Sequence, residues 1–222
     1  MLVSVQSEQV VNQETLNMQK LTVAILLTLA VATADVVEPY TLYRNASEIG
    51  FQLESPQITD FGSWGEPDYC RPGQIVTGFQ LKVEPKHSID DTALNGIRFF
   101  CGTPGGSEDE RTNITSKVGY FGNWGKIFNC STYAVGFELQ SQEYQGPRTD
   151  DIAANNFKLY CADGVAYEGY NDNGHTFTNS VYTGPQMCSL GQGLCGIQTQ
   201  VERYQVFGKL HVIKGLLFSL EV

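Results

Sequence analysis

The middle of the chain alternates apolar and polar residues in short runs. In Ile75-Val76-Thr77-Gly78-Phe79-Gln80-Leu81-Lys82-Val83, Phe79, Leu81 and Val83 fall on one side and Gln80 and Lys82 on the other. That period of two predicts a half-buried strand. Gly96-Ile97-Arg98-Phe99-Phe100-Cys101 predicts a second strand, and Pro72-Gly73 and Asn95-Gly96 are turn signals flanking the pair. One such unit buries a single face, so it needs partners.

The partners are further copies of itself. Residues 58–101 contain DFGSWGEPDYC, IVTGFQLKVE and DDTALNGIRFFC, and residues 118–161 contain YFGNWGKIFNC, YAVGFELQSQE and DDIAANNFKLYC. Trp64 and Trp124, Cys70 and Cys130, Asp90 and Asp150, and Cys101 and Cys161 are all 60 residues apart, which identifies an internal repeat. A third copy, about 176–222, starts well: Cys195 to Glu202 matches Thr77 to Glu84 once Gly196 is laid on Gly78, with Tyr182-Thr183-Gly184 roughly where FGNWG would stand. It then departs. GKLHVIKGLLFSLEV has neither the Asp pair nor a closing cysteine, so the third repeat reads as truncated and residues 206–222 as foreign to it. A sheet built from that copy is expected either to lack its last strand or to use His211–Val222 as a makeshift one.

Composition supports strands joined by turns, with 23 glycines, 11% aromatics and little helix expected. Leu21 to Ala34 is an apolar run behind Lys20 that ends in Ala32-Thr33-Ala34, the pattern of a signal peptide. Residues 1–34 thus read as an upstream extension plus signal peptide, with translation starting at Met18 and cleavage after Ala34; residues 35–222 read as one domain. A secretory chain meets an oxidising compartment, so Cys70, Cys101, Cys130, Cys161, Cys188 and Cys195 are assigned to disulfides, with the alternative that Cys188 and Cys195, if they do not pair with each other, remain thiols. Cys70 and Cys101, like Cys130 and Cys161, are 31 residues apart, which makes pairing within each copy the simplest connectivity. Sequons at Asn45, Asn113 and Asn129 are candidate N-glycosylation sites, Asn129 being crowded by Cys130. A net charge of −10 disfavours nucleic acid and anionic membrane as partners, because both require a basic patch.

The motifs W-G-x-x-x-x-C, GFxLxVE and DDTALNGIRFFC resemble those of the vitelline membrane outer layer protein I family over about Val36 to Gln205. The resemblance implies an all-β fold, a β-prism of three Greek-key antiparallel sheets with a pseudo-threefold internal repeat. It also implies a secreted, extracellular protein of the egg envelope or other fluids, with matrix or envelope proteins and glycans as partners.

Asp90-Asp91 and Asp150-Asp151 are the sharpest polar signals. Two carboxylates across a cleft are the equipment of glycoside hydrolysis, but adjacent strand residues point to opposite faces. Turn formation, with Asn95 and Asn155-Asn156 bonding the backbone, is the preferred reading; contact with a glycan comes next. Glu84, Glu143 and Glu202 read as solvent-facing strand ends, and Trp64 and Trp124 as core packing beside the disulfides. His87, His175 and His211 lack metal-ligand spacing, no serine sits in a nucleophile elbow, and the Gly-rich run after Cys101 is no phosphate cradle, so no catalytic residue, metal or cofactor is assigned. Two functions remain: a non-enzymatic structural component of an extracellular layer, or, as the family resemblance implies and no residue motif here singles out, a carbohydrate-binding or carbohydrate-active protein handling N-acetylglucosamine oligosaccharides.

Overall fold

The computed structural model describes residues 50–56, 62–85, 92–142, 154–169, 180–202 and 212–221. All belong to the unit Leu42–Val222; the expected start, signal peptide and Asn45 lie outside them, as do Asp90, Asp91, Asp150, Asp151 and the three histidines. In chain order the strands are β1 (Gln52–Glu54), β2 (Ser63–Trp64) and β3 (Asp68–Tyr69), then the long hairpin β4 (Ile75–Val83) and β5 (Leu94–Gly102). The edge strand β6 (Thr112–Ile114) and β7 (Asn123–Asn129) follow. Next come β8 (Ala134–Gln142), β9 (Ala154–Cys161) and β10 (Ala166–Glu168), then, from the third copy, β11 (Ser180–Tyr182) and β12 (Gln186–Met187). The third copy also gives β13 (Gln192–Val201) and β14 (Val212–Glu221). A single 3-10 turn, Glu108–Glu110, is the helical content of the described residues.

These strands make three antiparallel sheets on one plan: β6-β5-β4-β7, β10-β9-β8 with β11 and β12 along β8, and β1-β14-β13 with β2 and β3 along β13. The sheets share one apolar core, to which Phe79, Phe99, Phe137, Phe157, Leu139, Leu194 and Ile197 contribute, so the architecture is a β-prism with pseudo-threefold symmetry. Phe157 is at its centre, meeting Phe79, Phe99 and Phe137 with ring centroids 5.1, 5.8 and 6.0 Å away. Alternation delivers these residues inward and leaves Gln80, Lys82 and Arg98 half-exposed on the other face.

Each sheet takes its long hairpin from one copy and its outermost strand from the next. The Trp-containing strand of the second copy, β7, pairs with β4 of the first; β11 and β12 pair with β8; and the N-terminal β2 and β3 pair with β13. The joints are equivalent. Thr77, Val135 and Cys195 are the extra residues of matching β-bulges. Their carbonyls accept hydrogen bonds, each 2.8 Å, from the amides of Cys130, Cys188 and Cys70. The outer strand crosses so closely at the next residue that only glycine fits: a Cβ on Gly78 would lie 2.5 Å from the Phe128 carbonyl oxygen, and one on Gly136 2.7 Å from that of Gln186.

Cys70 is bonded to Cys101 and Cys130 to Cys161, each with Cα atoms 5.6 Å apart, as the spacing predicts. Cys188 and Cys195 form no disulfide, which corrects their assignment as bridge residues. The reason lies in register. β14 runs beside β13 with Ser219 opposite Leu194, the place that Cys101 holds opposite Val76 and Cys161 holds opposite Ala134. Ser219 is also 31 residues after Cys188, so the position of the third bridge is present and its second sulfur is replaced by a hydroxyl. The tail does serve as a strand: β14 pairs with β13 on one side and with β1 on the other, so the third sheet is not left open. Asn95-Gly96 is no turn but lies inside β5; a Cβ at Gly96 would press within 3.3 Å of the Trp124 ring and Lys82. The left-handed residue at that end is Ala93, with φ 54°.

Candidate functional site

At the hairpin end that carries the Asp90-Asp91 loop, the described residues are knitted by side chains. Glu84 accepts from the Thr92 amide at 2.8 Å and from its hydroxyl, and Asn95, fully buried, donates to Thr92 Oγ1 and to the Ala93 carbonyl at 3.2 Å. Asn155 donates to Ser180 Oγ at 2.6 Å. Asn95 bonds to residues two and three before it, whereas Asn155 reaches Ser180 on β11; Glu84 bonds to Thr92 across the hairpin instead of pointing into solvent. In the third copy the same register position is Ile213.

The tryptophans are not in the core. Trp124 pairs with Lys82, Trp64 with Gln200, and Tyr182 takes the same place opposite Gln140, all on the outer side of their sheets. Trp64 is 37% exposed. What Trp124 packs against is a cation: the Arg98 guanidinium lies 3.9 Å above its ring, and Lys158, the equivalent of Arg98, lies 3.9 Å above the ring of Tyr182. A cation in β5 or β9 thus grips an aromatic ring two strands away across the hairpin.

Between cation and ring sits a third position shared by the three copies. Gln80 and Gln198 donate through Nε2 to the carbonyls of Gly125 and Gly65 at 2.7 and 2.8 Å. At the equivalent position the second sheet has Glu138, which has no N–H to give and instead accepts from the Gly184 amide at 3.0 Å. Its other oxygen accepts from Tyr160 at 2.7 Å and faces Lys158 Nζ at 3.7 Å. Glu138 is only 6% exposed, so this pairing is what makes its burial tolerable. Nearby, Glu168 accepts from the Tyr182 hydroxyl and from Asn156 Nδ2 at 3.2 Å. Burial first, then the bond to Glu138 and the charges of Glu138 and Glu168, push the Tyr160 phenol up to about 12. Tyr182 is raised by burial, then by its bond to Glu168 and the surrounding negative charge. The cluster therefore holds its phenols protonated and its carboxylates engaged, a set of braces between strands.

Sequence reasoning missed Glu138, Lys158, Tyr160, Glu168, Arg98 and Gln80 as a group. The signal was there in the repeat: Arg98 and Lys158 each stand three residues before the closing cysteine, and Gln80 and Glu138 each two after the GF glycine. Of the sequons, Asn113 is exposed on the edge strand β6, whereas Asn129 is half-buried, with its carboxamide oxygen accepting from Arg111 at 3.2 Å. Among the described residues no group of three or more His, Cys, Asp or Glu is arranged to hold a metal.

The sequence profile of the vitelline membrane outer layer protein I (VOMI) family matches residues 51–214. The vitelline membrane outer layer protein 1 homolog of Mus musculus is 35% identical over 153 residues, covering 66% of this chain and 72% of that protein. The Homo sapiens homolog is 35% identical over 156 residues with the same coverage. Among solved structures, Calystegia sepium agglutinin is similar with a TM-score of 0.45 and 11% identity, covering 77% of this chain and 96% of its own. The second β-prism domain of RbmC from V. cholerae is similar with a TM-score of 0.42 and 13% identity, covering 75% and 98%. With its repeats, its stapled hairpins and its profile match in agreement, the chain belongs to the vitelline membrane outer layer protein I family.

Proposed function

We propose that this protein is a secreted, non-enzymatic structural component of an extracellular layer such as an egg envelope, with matrix proteins and glycans as its neighbours. The observation that carries the reading is the use to which the sheets put their carboxylates: Glu84, Glu138 and Glu168 each tie strands or loops together through hydrogen bonds. Two disulfides add covalent staples of the kind that persist outside the cell, in keeping with the signal-peptide pattern at Leu21–Ala34. Rigid, stapled and braced is what a lasting layer requires of its parts. Incubation of the purified protein with chito-oligosaccharides separates this from the carbohydrate-active alternative. The expected result is an unchanged substrate; new products that disappear in Asp91→Asn, Asp151→Asn or Glu138→Gln would overturn the non-enzymatic reading. Immunolocalisation to an extracellular coat is the matching positive result.

A further inference from the structure

The outermost strands β6, β10 and β1 follow one plan. By register, Asn113, Ala166 and Gln52 stand opposite Phe100, Tyr160 and Phe218. The residues after them, Ile114, Tyr167 and Leu53, pack on the core. In the second and third sheets an exposed carboxylate comes next, Glu168 and Glu54. The first sheet has Thr115 at that place, and its hydroxyl is the misfit: Oγ1 is buried and has no hydrogen-bond partner. The Thr115 amide donates to Asp68 Oδ2 at 2.9 Å, so the backbone is held while the side-chain oxygen is not.

A buried hydroxyl without a partner loses its hydration and gains nothing in exchange, so valine, of nearly the same shape, suits the folded strand better. What Thr115 does not do for the fold it can do before folding. It stands two residues after Asn113 in Asn113-Ile114-Thr115, the place where N-glycosylation requires a hydroxyl. Once folded, Asn113 is exposed on β6, which among the described residues pairs with β5 alone, so its side chain has room for a sugar.

The sequon at Asn129 has the opposite character. Ser131 Oγ donates to Asp163, and Asn129 Oδ1 accepts from Arg111 at 3.2 Å and lies where a Cβ on Gly78 would come within 2.5 Å of it. Its middle residue, Cys130, is bonded to Cys161. Here hydroxyl and carboxamide both serve the fold.

We propose that Asn113 carries an N-linked oligosaccharide and that Thr115 supplies the hydroxyl its transfer requires. The proposal rests on the reading of the chain as secreted, because the transfer belongs to the secretory pathway. Asn113 Nδ2 attacks the anomeric carbon of a lipid-linked oligosaccharyl diphosphate. A C–N bond forms, the C–O bond to the diphosphate breaks, the diphosphate leaves with that electron pair, and the amide nitrogen gives up one proton to a base of the transferase. Folding then buries Thr115 and leaves the sugar outside, on the outermost strand of the first sheet.

The full chain, expressed in cultured animal cells from its own N-terminal sequence, tests this on medium and lysate together. Glycans are released in heavy-oxygen water by an amidase that converts each glycosylated asparagine to labelled aspartate, and the peptides are mapped by mass spectrometry. The expected label is at Asn113 and not at Asn129; Thr115→Val removes it, and Thr115→Ser keeps it. Thermal unfolding separates modification from structure. Thr115→Val and Asn113→Gln both lack the sugar on β6, and Thr115→Val should melt about 2–4 °C higher because the buried hydroxyl is gone. Asn113 unlabelled, or labelled no more than Asn129, in protein from the medium would overturn the proposal while leaving secretion intact. An unlabelled chain confined to the cytosol would overturn both. A Thr115→Val midpoint equal to or below that of Asn113→Gln would also overturn it, since the hydroxyl would then serve the fold.

Discussion

Position 138 shows how one residue adapts to a shared scaffold. Gln80 and Gln198 donate to a backbone carbonyl from the same register position where Glu138 accepts from a backbone amide, and the Tyr160 hydroxyl and Lys158 ammonium complete its shell. Glu138→Gln converts the second sheet to the arrangement already used by the first, and should cost less than about 1 kcal/mol in reversible denaturation. Glu138→Leu leaves the Gly184 amide and the Tyr160 hydroxyl without their acceptor and should cost about 2–3 kcal/mol. Tyr160 carries a pH signature. Its folded-state phenol, raised from 10.0 to about 12, binds a proton that the unfolded chain has already released, so its contribution is complete below pH 10 and is lost as pH rises to about 12. A phenolate absorbance titration should show a late-ionising tyrosine in the wild type that Tyr160→Phe removes.

At the scale of elements, alternation and repeat spacing located β4 and most of β5, and the 31-residue interval paired four cysteines correctly. Two things escaped. Exchange of outer strands between copies leaves no local pattern, since β7 reads as a strand whichever hairpin it joins. The closing position of the third copy was obscured because GLLFSLEV preserves the spacing while discarding the motif; counting 31 from Cys188 lands on Ser219. The tryptophans were misplaced for a physical reason, since a ring gripped by a cation on an outer face has the same sequence neighbours as one in a core. Ser219→Cys should form a bridge with Cys188, consuming that thiol in a free-sulfhydryl assay. It should add about 3–4 kcal/mol in the chain-entropy picture of a loop this long. Without the substitution Cys188, its thiol pushed up to about 12 by burial first and by Cys195 second, should alkylate slowly at neutral pH. The edge strand β6 carries the more accessible sequon: glycosidase treatment should shift the mobility of wild-type protein, Asn113→Gln should abolish most of that shift, and Asn129→Gln should leave it.

At the scale of the molecule, symmetry and its breaking divide the labour. The shared bulges, the bulge carbonyl to cysteine amide bonds and the GF glycines fix three copies of one frame, so Gly78→Ala or Gly136→Ala should destabilise by about 1–3 kcal/mol through the backbone that each Cβ would strike. Outward positions escape that constraint, and they are where the copies differ in charge. Most contacts join strands far apart in sequence, and the last sheet cannot be finished until residues before Cys70 meet residues after Met187. Such non-local closure is slow, so refolding with the disulfides intact should be faster than refolding from the reduced chain.

The pairing of β1 with β14 means that the chain's order of copies is a convention of where its backbone is cut. Gln52 lies opposite Phe218 just as Asn113 lies opposite Phe100, so β14 to β1 is the same junction that a loop makes from β5 to β6. A circular permutant that joins Glu221 to Gln52 through a short flexible linker and opens the chain at Gly105, where an added Cβ would meet nothing within 4 Å, should therefore fold to the same prism with the same two disulfides. In such a molecule the third copy stands at the centre of the sequence, and its departures from the motif become an internal variation instead of a tail.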